Sequence, residues 1–252
     1  MRISIITVCY NSESTIRDTI KSVLAQTYSN IEYIVVDGQS NDKTLDIINE
    51  YSDRIDTVVS ESDQGIYDAM NKGITMATGD VIGVLNSDDF YLNEKIIAEV
   101  VTAYKQAPSI DMVFAGVDFV YDGYINKVVR SYRAIGFKHW MLRFGLMPPH
   151  PGSFIRRDVY KEIGDYKINY KISADFDFFV RALLIQRFNY LTVDSVWVRM
   201  RVGGVSTSGL QSYKISTQEM LRSFKENRLY TNVLFLLIRL PIKALQLINL
   251  KR

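Results

Sequence analysis

The chain has 252 residues, 47% hydrophobic and 23% charged, with a formal net charge of +2. This composition excludes a disordered, fibrous or collagen-like protein, and a compact chain of this length buries roughly three-quarters of its unfolded surface. The single cysteine, Cys9, leaves no intrachain disulfide framework and no cysteine-based zinc site, in keeping with a reducing compartment.

Met1-Arg2 leads into an apolar run that reads as a first strand, not as a targeting segment. The front of the chain then alternates β-branched runs with helical periodicity, the signature of βαβ units and a largely parallel sheet. Strands are predicted over Ile3–Cys9, Ile31–Val36, Thr57–Ser60 and Val81–Leu85. Between them, a helix capped by Ser12 or Ser14 carries a stripe of Ile16, Ile20, Val23 and Leu24. A second helix starts at Asn41-Asp42 and a third spans Tyr67–Ala77.

After Asp89 the alternation loosens. The pattern predicts a helix over Glu94–Lys105 and two strands, Met112–Val120 and Asn126–Tyr132, turning through Asp122-Gly123. A proline-rich turn at Met147–Gly152 precedes a strand at Ser153–Ile155, helices at Asp158–Ile163 and Ala174–Gln186, and a strand over Tyr190–Val198. The expected architecture is one α/β domain over 1–205 with a helical, basic, amphipathic tail over 206–252.

Charge is unevenly placed. Residues 1–110 carry 8 basic and 17 acidic side chains, residues 111–220 carry 15 and 10, and residues 221–252 carry 7 and 1. An acidic front argues against a nucleic-acid groove there, whereas adjacent aspartates suit divalent cations. In the tail, Leu234, Phe235, Leu237, Ile238, Leu245, Leu247 and Ile248 lie among the bases. Such a segment either rests on an anionic membrane surface or packs on the domain or a second copy. The apolar run Val233–Ile238 is far shorter than the ~20 residues a spanning helix needs.

In an open α/β sheet, ligands bind beyond the carboxyl ends of the strands. The first strand ends in Tyr10-Asn11-Ser12-Glu13 without glycine, so neither a dinucleotide fingerprint nor a Walker A loop is present. The second ends in Asp37-Gly38, where an acid can meet a base or ribose or simply form a turn; Asp42 can cap the next helix. The fourth ends in Asn86-Ser87-Asp88-Asp89. Two adjacent carboxylates repel each other, and a divalent metal removes that repulsion; the alternative is that they cap a following helix.

Ser4–Asn11, Ile34–Asp42, Asp63–Gly73, Ala77–Asp80 and Leu85–Asp89, followed by Pro149–Phe154 and Ala174–Arg181, resemble in order and spacing the signatures of family 2 glycosyltransferases with the GT-A fold. The resemblance covers about residues 3–205. It implies a mostly parallel Rossmann-like sheet, a nucleotide-sugar-binding half over 1–110 and an acceptor half over 111–205. It also implies inverting transfer from a UDP- or GDP-sugar to a saccharide or lipid-linked acceptor in surface polysaccharide assembly, with Mn²⁺ or Mg²⁺; the expected location is the cytoplasm, at the inner face of the plasma membrane if the tail rests on the membrane.

Position by position, the resemblance implies that Asp37 contacts base and ribose, flanked by Thr7, Tyr10 and Asn11. Asp63, Asn71 and Lys72 would line the nucleotide and diphosphate, unless Lys72 is a solvated helix charge. Asn86, Ser87 and Asp88 occupy the D-x-D position, with Asp88 and Asp89 as metal ligands. Two departures are Asn86 for the first acid and Gly38 for a second Asp. Asp175 matches the catalytic base, preceded by Ala174 instead of Glu; Asp177 would pair with Arg181 at i,i+4. His150 would contact acceptor or metal, or serve the turn. Arg199 and Arg201 open a predicted closing loop, Arg199–Ser206, as phosphate contacts or solvated charges. Competing classes are a nucleotide-sugar-binding module without catalysis and a sugar-phosphate nucleotidyltransferase, although the latter usually has a glycine-rich triphosphate loop.

Overall fold

In a computed structural model that describes residues 1–203 and 209–242, the front β-branched runs form parallel strands. They are β1 (Ile3–Cys9), β2 (Ile31–Asp37), β3 (Thr57–Ser60) and β4 (Val81–Asn86). β1 lies between β2 and β4, with Ile3 opposite both Ile31 and Val81, and β3 adds to β2. Every residue of β1 is buried. That is the pattern of a parallel strand covered on both faces.

The covering helices follow from alternation along the strands. α1 (Ile16–Leu24) buries Ile16, Ile20 and Val23 with Ile3 and Ile5, while α3 (Ile66–Met76) buries Tyr67, Met70 and Ile74 with Ile6 and Val8 on the other face. α2 (Thr44–Asn49) completes this half. α1 has Thr15 at its N-cap position, in place of Ser12 or Ser14. The Ser12 hydroxyl instead meets Ser87 at 2.8 Å.

The rest of the chain adds β5 (Asp89–Tyr91), α4 (Ile96–Gln106), β6 (Met112–Tyr121), β7 (Tyr124–Tyr132), a 3₁₀ segment (His139–Phe144) and β8 (Ser153–Arg156). It continues through α5 (Arg157–Ile163), α6 (Ala174–Val180), β9 (Tyr190–Arg201), α7 (Leu210–Glu226) and α8 (Val233–Leu237). Among the described residues the sheet order is β3-β2-β1-β4-β8-β6-β9-β5, with β7 on β6. β8 is antiparallel to β4 and β6, so β6 and β9 run in the same sense as β4.

Three differences from the sequence reading bear on function. Asp88-Asp89 caps no helix: Asp89 opens β5, opposite Met200, and α4 begins only at Ile96. β9 runs three residues past the predicted Val198 because β5 and β6 pair with it on either side. Arg199 and Arg201 are therefore strand residues, not parts of a closing loop; Gly204, Val205 and Ser206 of that loop lie outside the described residues. The helix predicted to run to Gln186 is regular only to Val180 and continues as a wider π-type turn, Arg181–Ile185.

α7 and α8 pack on the domain. Met220, Phe224 and Leu236 join one core cluster with Phe176 and Phe178. Lys243 to Arg252, including Leu245, Leu247 and Ile248, lie outside the described residues. Among the described residues no helix is long and apolar enough to cross a membrane.

Candidate active site

A cleft of about 580 Å³ opens where β1 and β4 end, with the last residues of β9 beside them. Its lining includes Tyr10, Asn11, Ser12, Asp63, Tyr67, the turn Asn86–Asp89, His150, Asp175 and Arg201. Open α/β sheets place their ligands at such a position.

The acidic turn is held from three sides. Thr19 on α1 donates its hydroxyl to the carbonyls of Ser87 at 2.9 Å and Asp89 at 2.7 Å. Arg201 donates Nη1 to the Asp88 carbonyl at 2.9 Å while Nη2 and Nε pair with Asp18 at 2.5 Å and Asp122 at 3.0 Å. The strand pairing of β9 thus brings a buried guanidinium against the backbone of the turn.

The Asp89 side chain is buried, and burial together with neighbouring Asp88 pushes its carboxyl well above the usual range; burial raises Asp88 as well. Asn86 Nδ2 reaches Asp89 Oδ2 at 3.4 Å, but Asn86 Oδ1 and Asp89 Oδ1 are buried with no hydrogen-bond partner. Two carboxylates and an amide carbonyl with unspent lone pairs make a hard, oxygen-only donor set, which fits Mg²⁺ or Mn²⁺. Among the described residues no group of three His, Cys, Asp or Glu side chains forms a metal cage. A cation here would complete its shell with water and ligand oxygens.

Across the cleft, Asp175 stands in the first turn of α6. Its Oδ1 accepts the Phe176 N–H at 2.8 Å and lies 3.4 Å from the Tyr67 hydroxyl, which donates to the Ile172 carbonyl at 2.5 Å. Burial raises the Asp175 pKa to about 6.

The backbone leading into Asp175 is organised from α7. The Glu219 carboxylate accepts three successive N–H groups, from Lys171 at 2.6 Å, Ile172 at 3.0 Å and Ser173 at 2.9 Å. Two residues after Asp175, fully buried Asp177 accepts from Lys167, Arg181, Ser223 and Asn227, so the expected Asp177–Arg181 pair is part of a larger network. Neither Glu219 nor its role had a signal in the sequence, because Ser173 and Glu219 stand 46 residues apart.

Of the other predicted site residues, Thr7, Asp37, Asn71, Lys72 and Arg199 lie outside the cleft lining, and His150 lies in it. Thr7 is buried in mid-strand and accepts from the Tyr33 hydroxyl at 3.2 Å. Asp37 is buried, its oxygens taken by Ser40 and Ser60 hydroxyls at 2.5 and 2.6 Å. Asn71 exchanges two hydrogen bonds with the Tyr166 backbone, at 2.8 and 2.9 Å, tying α3 to that loop. Lys72 is spent on Glu61 at 2.9 Å, Asp68 at 3.7 Å and the Ser62 carbonyl. Arg199 reaches Asn126 at 3.2 Å. His150 lines the cleft with its Nε2 2.9 Å from the Tyr166 hydroxyl, and burial lowers its pKa to about 4, so the ring is neutral.

Gly38 has a steric reason. A Cβ there would fall 2.4 Å from Asp63 Oδ2, so the absence of a side chain lets the Asp63 carboxylate approach beside Tyr10.

Residues 4–164 match the family model described as glycosyl transferase family 2. A PGL/p-HBAD biosynthesis glycosyltransferase of Mycobacterium tuberculosis is 31% identical over 202 residues, 76% of this chain and 75% of that protein. A shorter stretch of 95 residues is 42% identical to Escherichia coli UDP-Glc:alpha-D-GlcNAc-diphosphoundecaprenol beta-1,3-glucosyltransferase WfaP, covering 37% and 38% of the two chains. Among solved structures, S. aureus TarS 1-349 in complex with UDP-GlcNAc aligns with a TM-score of 0.66 at 20% identity, over 89% of this chain and 66% of that one. This last likeness is one of fold, the GT-A fold.

Proposed function

The chain belongs to glycosyl transferase family 2, and from that premise we propose an inverting, metal-assisted transfer between a nucleoside-diphosphate sugar and an acceptor hydroxyl. The donor is a UDP- or GDP-sugar, and the acceptor a saccharide or lipid-linked saccharide of the cell surface. Residues 1–110 form the donor half and 111–205 the acceptor half. The observation that carries this reading is the shared cleft: Asp175 and the Asn86–Asp89 turn line one space with Tyr10 and Asn11. The relatives' names, one a glucosyltransferase for a diphosphoundecaprenol-linked sugar, support the choice of acceptor.

In this mechanism Asp175 Oδ2 takes the acceptor proton while the acceptor oxygen forms its bond to the anomeric carbon. The bond from that carbon to the phosphate oxygen breaks, and its electron pair leaves with the nucleoside diphosphate. A pKa of about 6 suits a base that must be ionised near neutral pH yet still attract a proton. Glu219 holds the backbone that orients Asp175, and Arg201 fixes the backbone of the acidic turn. Asp88, with the free oxygens of Asn86 and Asp89, would hold a divalent cation, whose charge neutralises the departing diphosphate. Asp63 and Tyr10 edge the opening where the nucleotide enters.

Calorimetric titration of UDP and GDP with and without Mn²⁺, on wild type, Asp88→Ala and Asp175→Ala, tests the assignment. Metal-dependent binding lost in Asp88→Ala and kept in Asp175→Ala is the expected result. Absence of binding by either diphosphate under every metal condition overturns the donor site, and binding without turnover of any sugar nucleotide favours a binding module.

A further inference from the structure

A second surface lies at the other end of β9, which runs from Tyr190 beside it to Arg201 at the cleft. Its frame is a ladder of rings. Trp140 meets Phe144 edge-on at 5.9 Å, Phe144 stacks on Phe235 at 5.2 Å, and Phe235 meets Tyr230 at 6.4 Å. α8 turns Leu236 fully inward, which leaves its other side outward: Leu234 is 74% exposed, Tyr230 70% and Trp140 50%. A contiguous apolar patch of this kind marks an interaction surface. Beside Trp140, a groove of about 570 Å³ has Arg143 and Arg187 in its walls.

Bases predominate around the patch, with an acid, Asp111, beside the groove, where its carboxylate accepts the Asn189 N–H at 2.8 Å. The segments that build it, residues 123–157, 178–193 and 227–242, contain no Asp or Glu, yet they supply Lys138, Arg143, Arg187 and Arg228. A two-fold contact with a second copy would set these cations against their own images. An anionic lipid surface meets both properties at once, since it takes aromatic and aliphatic side chains at its headgroup boundary and attracts nearby bases.

We propose that the 3₁₀ segment and α8 dock this protein on an anionic bilayer, with Trp140 and Leu234 entering the headgroup boundary and Arg143 and Arg187 meeting lipid phosphates. The surface is separate from the cleft, so docking leaves donor binding unaffected.

Trp140 is its own reporter, because the other tryptophan, Trp197, is 1% exposed inside the sheet. Full-length protein is mixed with vesicles of phosphatidylcholine, with or without phosphatidylglycerol, and followed by co-sedimentation and tryptophan emission. The expected result is binding and a blue shift with anionic vesicles only, weakened by salt. Leu234→Asp combined with Arg187→Glu should reduce vesicle affinity at least about ten-fold while melting temperature and UDP or GDP binding stay at wild-type values. Equal binding to neutral vesicles, no binding to anionic ones, or full binding by the double variant overturns the proposal. A lipid-free blue shift that grows with protein concentration also overturns it, in favour of self-association.

Discussion

Glu219 grips the backbone immediately ahead of Asp175: its two carboxylate oxygens accept the N–H groups of Lys171, Ile172 and Ser173 at 2.6–3.0 Å. The candidate base is therefore oriented by a helix that follows it far along the chain. Glu219→Gln keeps the volume but replaces one acceptor oxygen with a donor, which faces N–H groups that are already donors. It should cost about 1–3 kcal/mol of stability, seen in urea melts. At a temperature where the variant is folded, kcat should fall more than donor KM rises. Glu219→Asp should recover part of the loss in kcat.

Asp175 supplies a prediction with two signs. Its pKa is raised to about 6 by burial, so the folded state holds a proton that the unfolded chain releases at lower pH. The stability this contributes is fully present below the unfolded carboxylate's pKa, near 4, and is lost as pH rises through about 6. Asp175→Asn should therefore be more stable than wild type at pH 7 and about equal at pH 4, as read by melting temperature. Transfer runs the other way: kcat/KM of the wild type should climb as pH rises through about 6, and Asp175→Asn should lower kcat by about 10²–10⁴-fold.

The acidic turn makes a metal prediction. Asn86 Oδ1 is buried and unpaired, so Asn86→Ala removes an oxygen that no protein donor uses. It should weaken Mn²⁺-dependent UDP or GDP binding while leaving metal-free folding little changed. Asn86→Asp, which adds a third carboxylate beside Asp88 and Asp89, should lower stability without metal and recover it when Mn²⁺ is added. Melting curves with and without the ion measure this; equal melting of Asn86→Asp in both conditions counts against a cation at the turn.

Gly38→Ala tests the packing at the mouth of the cleft. The added Cβ would lie 2.4 Å from Asp63 Oδ2, and the carboxylate must swing away and give up its bond to the Gly65 N–H at 2.8 Å. Because the clashing atom is the end of a partly exposed side chain that can swing, the loss of stability should be small, about 1 kcal/mol or less. Donor affinity should fall with it in calorimetry, while Gly65→Ala, with no atom near its added Cβ, acts only through its backbone angle of φ 117°.

Arg201→Ala removes a guanidinium whose side chain is 5% exposed and leaves the Asp88 carbonyl without its donor. Because its partners Asp18 and Asp122 are half or more exposed, they can rehydrate, and a loss of about 2–3 kcal/mol is expected in place of the larger cost of orphaning a buried charge. Arg201→Lys, with one ammonium for three directions, should recover less than half of it. Denaturant unfolding of the three proteins checks the order.

Much of the fold was written locally. The run Ile3–Cys9 is apolar on both faces, and the abrupt change from Leu85 to Asn86-Ser87-Asp88-Asp89 marks where a buried strand leaves the sheet; both can be seen in consecutive residues. The motif order carried the family, and it singled out Asp175 and the acidic turn as candidates, because those residues lie just past strand ends or at a helix start. For other residues of the same motifs, direction depends on packing. Asn71 and Lys72 lie on α3, and the helix is rotated by the burial of Tyr67, Met70 and Ile74 so that Asn71 meets Tyr166 and Lys72 meets Glu61. Thr7 lies deeper along β1 than Cys9, which lines the cleft, and its hydroxyl accepts from Tyr33.

The sequence alone therefore determined the alternation of strand and helix, the acid-rich strand ends and the chemistry they can support, since these depend on neighbours within a few residues. Tertiary structure alone decided which of those side chains share a space. It extended β9 through Arg199 and Arg201 by pairing with β5 and β6, brought the Glu219 carboxylate to three N–H groups before Asp175, and left Leu234 and Trp140 on one exposed face. Buried hydrogen bonds and sheet pairings between distant segments must be satisfied once the core closes, and no local pattern records which partner will satisfy them.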